Sequence, residues 1–273
     1  MKLKRISHLI IDSIMELFGT MPDGEVVNSY ELTNKKGAKL KVINYGATVT
    51  SLKMPLKNGE MVDVVLGFDT LENYINSFDL ESAPYLGATV GRYAGRISNA
   101  VFNLNGETIH LDKNNNGHSL HGGKNNFSQK VWEVKNLKEG FSPSITFSCL
   151  SPANEGNYPG DLSVELTYTL SENNELIIEY NAQTTEDTVL NLTHHSYFNL
   201  DGHDSAVSEQ ELIVNSDKML ETTTENIPTG RVINLENNAF DFNQPKPCPS
   251  KIDNTFVIEK KNGHRIGARF LTK

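Results

Sequence analysis

The feature that most restricts the fold is a succession of short β-branched runs, each closed by a glycine or asparagine turn. No long helical period interrupts them. Residues 26–33, 39–44, 48–54 and 62–68 have the length and composition of strands, parted by Asn34-Lys35-Lys36-Gly37, Gly46 and Lys57-Asn58-Gly59. The same grammar returns at 100–104 and 108–111, on either side of the hairpin signal Asn105-Gly106, and then at 130–135, 144–150, 162–169 and 175–183. It continues at 188–200, 210–215, 230–234 and 254–259, and only residues 71–78 read as a turn or two of helix. Parallel strands need crossover connections of about a dozen residues, usually helical, and the chain has none to spare. The expectation is an all-β protein, a large antiparallel β-sandwich. At 273 residues it has length for one large domain or two smaller ones.

Residues 1–17 read differently. Met1-Lys2-Leu3-Lys4-Arg5 is basic, and Leu9, Ile10, Ile14 and Leu17 recur near helical spacing. His8 and Asp12 break the apolar run and no small-residue cleavage site follows, so a short amphipathic extension is expected rather than a secretory leader. A start at Met15 fits as well. The β domain is then expected over 18–273. A net charge of −9 argues against a nucleic-acid partner, which needs a basic footprint. No apolar stretch reaches the length of a membrane helix. Cys149 and Cys248 have no metal-ligand spacing and read as free thiols in a reducing compartment, which favours the cytoplasm.

Chemistry-bearing residues gather in a few places. Asn191-Leu192-Thr193-His194-His195-Ser196-Tyr197-Phe198-Asn199-Leu200 holds adjacent histidines, and on an extended chain only one of them can face a given cleft. A second run, Asn116-Gly117-His118-Ser119-Leu120-His121-Gly122-Gly123, carries His121 before a glycine pair that suits a tight turn or close approach to a ligand. His118 reads as a solvated loop residue. Gly91-Arg92-Tyr93-Ala94-Gly95-Arg96-Ile97 has two arginines, whose donor arrays suit hydroxyl or carboxylate oxygens. Its spacing is not that of a phosphate-binding loop. Singly, each of these residues reads equally as structural: either arginine as a surface ion pair, His195 as a satisfied core residue, and Asp253 as a strand-start residue. The turn-dense stretch 151–160 carries one acid, Glu155. Neither HxH nor HExxH occurs, so no metal and no cofactor is expected. No GxSxG or Cys-His signature supports a hydrolase.

In order and wording together, these pieces resemble the galactose mutarotase (aldose 1-epimerase) family. The matching segments are Phe18 through Gly24, Ile43-Asn44-Tyr45-Gly46-Ala47-Thr48, Val65-Leu66-Gly67-Phe68-Asp69, Gly91 through Ile97, Ser119 through Gly123, Ser151 through Gly160, and Leu192 through Leu200. The resemblance runs from about residue 18 to the C-terminus and implies a sandwich of the supersandwich type with a sugar cleft. It places the family's binding arginine on Arg96, its first imidazole on His121 and its ring-oxygen acid on His195. The carboxylate that holds sugar hydroxyls falls on Asp253. Gly95 stands where the family often has Asn, and Asn254 where it often has His. The resemblance also implies that the chain stops, at Arg269-Phe270-Leu271-Thr272-Lys273, before the strands that carry the general-base glutamate. Glu225 and Glu259 are nearest to it by order and match no family motif. The function implied is interconversion of the α and β anomers of galactose or glucose, with a monosaccharide as partner and a monomer or homodimer as the working form. A carbohydrate-binding sandwich without catalysis stays open as the alternative. A sugar-phosphate epimerase of the related fold is less attractive for a chain of net negative charge.

Overall fold

A computed structural model describes residues 14–258 and 266–272. The chain divides into two compact units, Met1–Phe198 and Asn199–Lys273.

The first unit is built on two antiparallel sheets. One has the order β1 (Met15–Thr20), β2 (Val26–Thr33), β3 (Lys39–Ile43), β4 (Thr48–Pro55) and β5 (Met61–Asp63). Between the two sheets in sequence come the helix α1 (Leu71–Ser77) and five short strands: β6 (Thr89–Val90), β7 (Arg96–Ile97), β8 (Val101–Leu104), β9 (Glu107–His110) and β10 (Ser119–Leu120). The second sheet is β11 (Glu133–Lys138), β12 (Ser144–Ser151), β13 (Leu162–Leu170) and β14 (Leu176–Thr184), paired in that order. β15 (Thr193–His194) closes the unit by pairing with β6.

Period-two burial shows why these strands make a sandwich. In β13, Leu162, Val164, Leu166, Tyr168 and Leu170 are buried, whereas Ser163 and Glu165 between them are exposed. Each such apolar side chain removed from water contributes about 1.5–3 kcal/mol before chain entropy is subtracted. Across the gap, Tyr30 of β2 meets Phe147 of β12 edge-on at 6.0 Å, and Phe147 meets Tyr168 at 6.3 Å. The Tyr168 hydroxyl then donates to the Ala47 carbonyl at 2.7 Å.

Polar tips are tied together as well. Asn34, in the β2–β3 turn, is buried; its amide donates to the Ser171 carbonyl at 2.7 Å and the Asn174 side chain at 2.8 Å. Its oxygen accepts from the Lys36 and Ala38 N–H groups. Asn34→Ala leaves the Ser171 carbonyl and two amides short of partners, so urea denaturation is expected to show a loss of about 2 kcal/mol. An unchanged midpoint would contradict this reading of the turn.

Helix α1 starts where Thr70 Oγ1 accepts the Asn73 N–H at 3.3 Å. It buries Leu71 and Tyr74 against Val27, Ile43 and Tyr45. The second unit holds β16 (Glu211–Val214), β17 (Lys218–Thr222), β18 (Pro228–Asn234), β19 (Lys246–Pro247) and β20 (Ala268–Leu271). β16 lies between β19 and β20, and β17 pairs with β18. Every pairing between named strands is antiparallel. The all-β, antiparallel expectation therefore holds.

Several boundaries differ from the sequence reading. The break expected after residue 17 falls inside β1, because Phe18 packs on Tyr74 at 6.2 Å and Gly19 lies directly against Leu71. Residues 1–13 of the expected extension, and Glu259, lie outside the described residues. The strand expected over 62–68 ends at Asp63, followed by a single bridge from Val65 to Phe198. The one expected over 130–135 lies at Glu133–Lys138, since Trp132 is taken up by bonds to Asn44 and Phe127. Of the strand expected over 254–259, the described residues 254–258 form no named strand; Thr255 and Val257 instead bond to β17. β17 and β20 were not expected at all.

Candidate active site

A two-stranded ribbon in the first unit sets Arg96 and His121. Arg96 pairs with Leu120 and Ile97 with Ser119 across β7 and β10. At one end the His121 N–H donates to the Gly95 carbonyl at 3.0 Å, and the Gly95 N–H donates back to His121 Nδ1 at 3.1 Å. At the other end the Asn99 N–H donates to His118 Nδ1 at 2.9 Å. His118 is thus a buried clamp of the ribbon rather than a solvated loop residue, as its spacing alone suggested. His121 itself has φ 55°, in the left-handed region, and the glycines after it continue that turn. The close approach they allow is to backbone: a Cβ on Gly122 would lie 2.1 Å from the Gly91 carbonyl.

His195 comes from the other run, and that run is extended without being one strand. Expected as a strand over 188–200, it forms a named strand at Thr193–His194 and single bridges at Asn191 and Phe198, because its backbone changes partner every few residues. Asn191 bonds to Arg92 and Ala94, His195 to Ala88 and Gly87, and Tyr197 to Leu66. The pleat nevertheless separates the two histidines. His194 faces inward, with Nδ1 3.3 Å from the Tyr168 hydroxyl and Nε2 2.6 Å from Ser196 Oγ. Since that tyrosine donates to Ala47, it accepts from His194, which places the proton on Nδ1.

His195 faces the other way, into an aromatic cluster. Its ring centroid lies 5.4 Å from that of His121 at an interplanar angle of 79°. Tyr85 contacts both, at 4.8 Å from His121 and 5.9 Å from His195, and Tyr197 lies 5.3 Å from His195. The Arg96 guanidinium is near enough to act on the charge of His121 and Tyr85. Its Nε donates to Asn115 Oδ1 at 3.1 Å. The sequence reading missed Tyr85, Tyr197 and Asn115. The only local hint was turn chemistry around Pro84, Gly87 and the asparagine run 114–116.

Burial, the neighbouring His195 and Arg96 push the His121 pKa down to about 3. Its Nδ1 accepts a backbone N–H, so the proton sits on Nε2, and His121 is a neutral hydrogen-bond donor at working pH. Burial, with His195, pushes His194 down to about 4. Both folded-state values lie below the ordinary 6.5. The unfolded chain therefore takes up protons first as pH falls. Stability is expected to drop on acidification from about pH 6.5 towards about pH 4, by up to about 1.4 kcal/mol per pH unit for each histidine. Urea denaturation across that window checks it: His194→Gln should flatten the slope, and a flat profile in the parent chain would contradict it.

The two arginines of the Gly91–Ile97 motif have separate duties. Arg92 is 3% exposed and spends all its donors on the 151–160 loop. Nε donates to Ser151 Oγ, Nη1 to the Pro159 and Gly160 carbonyls, and Nη2 to the Ser151 and Pro152 carbonyls. Glu155 belongs to the same cluster, accepting from Ser151 Oγ and pairing with Lys130. Arg96 is left to face outward beside His121. Asp253 lies in the second unit, just before the segment bonded to β17. Among the described residues, no cluster of three or more His, Cys, Asp or Glu side chains is arranged to hold a metal ion. No described helix is long and apolar enough to cross a membrane.

The aldose 1-epimerase family model matches residues 28–269. The galactose mutarotase of Bos taurus is 38% identical over 231 residues, which make up 84% of this chain and 64% of that protein. The aldose 1-epimerase of Haemophilus influenzae is 39% identical over 252 residues, covering 88% of this chain and 71% of its own. A crystal structure of the GalM/aldose epimerase homologue from C. elegans superposes with a TM-score of 0.82 at 34% identity, covering 90% of this chain and 76% of that one. The chain spans 64% of the length of its bovine and human relatives. A match that runs from β2 into β20 and is carried on a shared fold makes this chain a member of the aldose 1-epimerase family.

Proposed function

We propose that the protein is a mutarotase that interconverts the α and β anomers of galactose or glucose by acid–base opening and closing of the sugar ring. The observation that carries this reading is the pair of imidazoles, His121 and His195, 5.4 Å apart beside Arg96. Ring opening takes a proton off the anomeric hydroxyl and puts one on the ring oxygen. The C1–O5 bond breaks as the C1 carbonyl forms, the aldehyde turns about C1–C2, and closure reverses both transfers. His195 is the acid at the ring oxygen, imidazole being the side chain that titrates near neutral pH. His121, neutral with its proton on Nε2, donates to a sugar oxygen and does not compete for the reacting proton. Arg96 offers its terminal nitrogens to sugar hydroxyls. The base for the anomeric proton is a carboxylate by the same logic, and no described glutamate is assigned to it. The working form is a cytoplasmic monomer or homodimer.

Polarimetry on freshly dissolved α-D-galactose tests the reading. Acceleration over the spontaneous drift is expected. Saturable galactose binding without acceleration would instead make the chain a carbohydrate-binding sandwich. Neither binding nor acceleration would overturn both.

A further inference from the structure

Tyr85 packs against both histidines, the three rings forming a triangle with centroid separations of 4.8, 5.4 and 5.9 Å. It opens a turn in which the Ala88 N–H donates to the Tyr85 carbonyl at 3.0 Å. Gly87 in that turn has φ 63°, and a Cβ there would lie 1.9 Å from the Val49 carbonyl, so the turn is seated directly on β4. Two backbone bonds then join the turn to the histidine itself: Gly87 N–H to the His195 carbonyl and His195 N–H to the Ala88 carbonyl, both 3.0 Å. The Tyr85 ring is 7% exposed. It meets His121 edge-on at 75°, lies tilted at 42° to His195, and is backed edge-on by Phe78 at 5.2 Å. Its hydroxyl lies against the Asn126 amide, and that amide is fixed by bonds to the Gly123 carbonyl and the Ser128 N–H.

We infer that Tyr85 is a positioning residue, whose ring fixes the crossed arrangement of the His121 and His195 imidazoles and screens the inner faces of both from water. Edge-to-face aromatic contacts prefer centroid separations of about 4.5–7 Å, and each Tyr85 contact falls inside that range. A tyrosine has only two rotatable side-chain bonds, and here the neighbours on its ring and hydroxyl fix both. Rotation of either imidazole therefore requires Tyr85 to move first. The charges that act on His121 are those of His195 and Arg96, and burial keeps the Tyr85 hydroxyl protonated, so removing the ring admits water and leaves both of those neighbours in place. Desolvation is the largest influence on His121, and its titration should respond to that water directly.

The inference rests on the sugar reading for its meaning but not for its test. Long-range ¹H–¹⁵N spectra of the imidazoles are recorded without sugar from about pH 7.5 to about pH 4. Tyr85→Phe should leave His121 as the neutral Nε2–H form throughout. Tyr85→Leu should raise the His121 pKa by about one unit or more and shift the His195 ring nitrogens. Unchanged titration and shifts in Tyr85→Leu would overturn the role. Should that variant fail to fold, Phe78→Leu, which loosens the ring without touching the histidines, is expected to move His121 the same way; no movement there would overturn the role equally. In polarimetry Tyr85→Leu should lower kcat about tenfold with KM changed less, whereas Tyr85→Phe keeps most of the rate. If the parent chain leaves the anomers at their spontaneous rate, the sugar reading falls, and the imidazole spectra alone decide on Tyr85.

Discussion

His195→Ala lowers the enzyme-dependent rate of anomer exchange by about two to four decades while galactose binding changes far less. The magnitude is that of one lost general acid, since a positioned proton donor contributes about 10²–10⁴ to a rate. In the proposed mechanism His195 donates in the transition state, when the ring oxygen takes its proton, and contributes little to holding the closed sugar. Its loss therefore appears in kcat more than in KM. The backbone of His195 is held by Ala88 and Gly87, so the substitution should not disturb the turn that carries Tyr85. Polarimetry or NMR exchange between anomers measures the effect. A variant within about twofold of the parent rate would remove His195 from the chemistry.

The second large effect is on folding. Arg92→Ala is expected to cost about 3–5 kcal/mol in urea denaturation, the usual result of removing one member of a buried charged network. Four carbonyls and the Ser151 hydroxyl each lose the bond from Arg92 at once, and the Glu155 carboxylate loses the guanidinium charge beside it. Arg92→Lys recovers little, because an ammonium has three donors on a different geometry from the guanidinium fork. The damage should also reach the site. Gly156 of the same loop packs beside the Gly122 carbonyl, and its own carbonyl accepts from Asp112, so the loop backs the turn that sets His121. Arg96→Ala, four residues on, should cost less than about 1 kcal/mol of stability, because among the described residues its one hydrogen bond is from Nε to Asn115. Equal losses from the two arginines would contradict this division.

The strands that could be read in advance are those whose neighbours alternate cleanly. β13 buries every second residue from Leu162 to Leu170, and β2 follows the same pattern except for the adjacent buried pair Ser29 and Tyr30. The stretch 188–200 misled because its β-branched and aromatic content describes an extended chain, while strand pairing depends on partners far away in sequence. Those partners are Arg92, Ala88 and Leu66 in succession. β17 carries Lys218 and Glu221 among few apolar residues, so its pairing with β18 has no local signature. In the site, the family resemblance picked His195 as the one at the cleft, and the opposite facing of His194 and His195 followed from the pleat. Which arginine is structural did not, because it depends on carbonyls of a loop about 60 residues downstream that only the folded chain brings near. Tyr85 was invisible for a similar reason: a tyrosine between Pro84 and Gly87 reads as turn decoration until both histidines are seen packed against it.

The central claim is that His121, His195 and Arg96 form one face that binds a monosaccharide. A galactose titration followed by long-range ¹H–¹⁵N imidazole spectra at about pH 7 reads that face directly. The expected result is that the ring signals of His121 and His195 move together on one saturating curve, that His110 on the β8–β9 hairpin stays still, and that Arg96→Met weakens the curve. Signals from His121 and His195 that ignore galactose at every concentration, or that move on unrelated curves, would contradict the account.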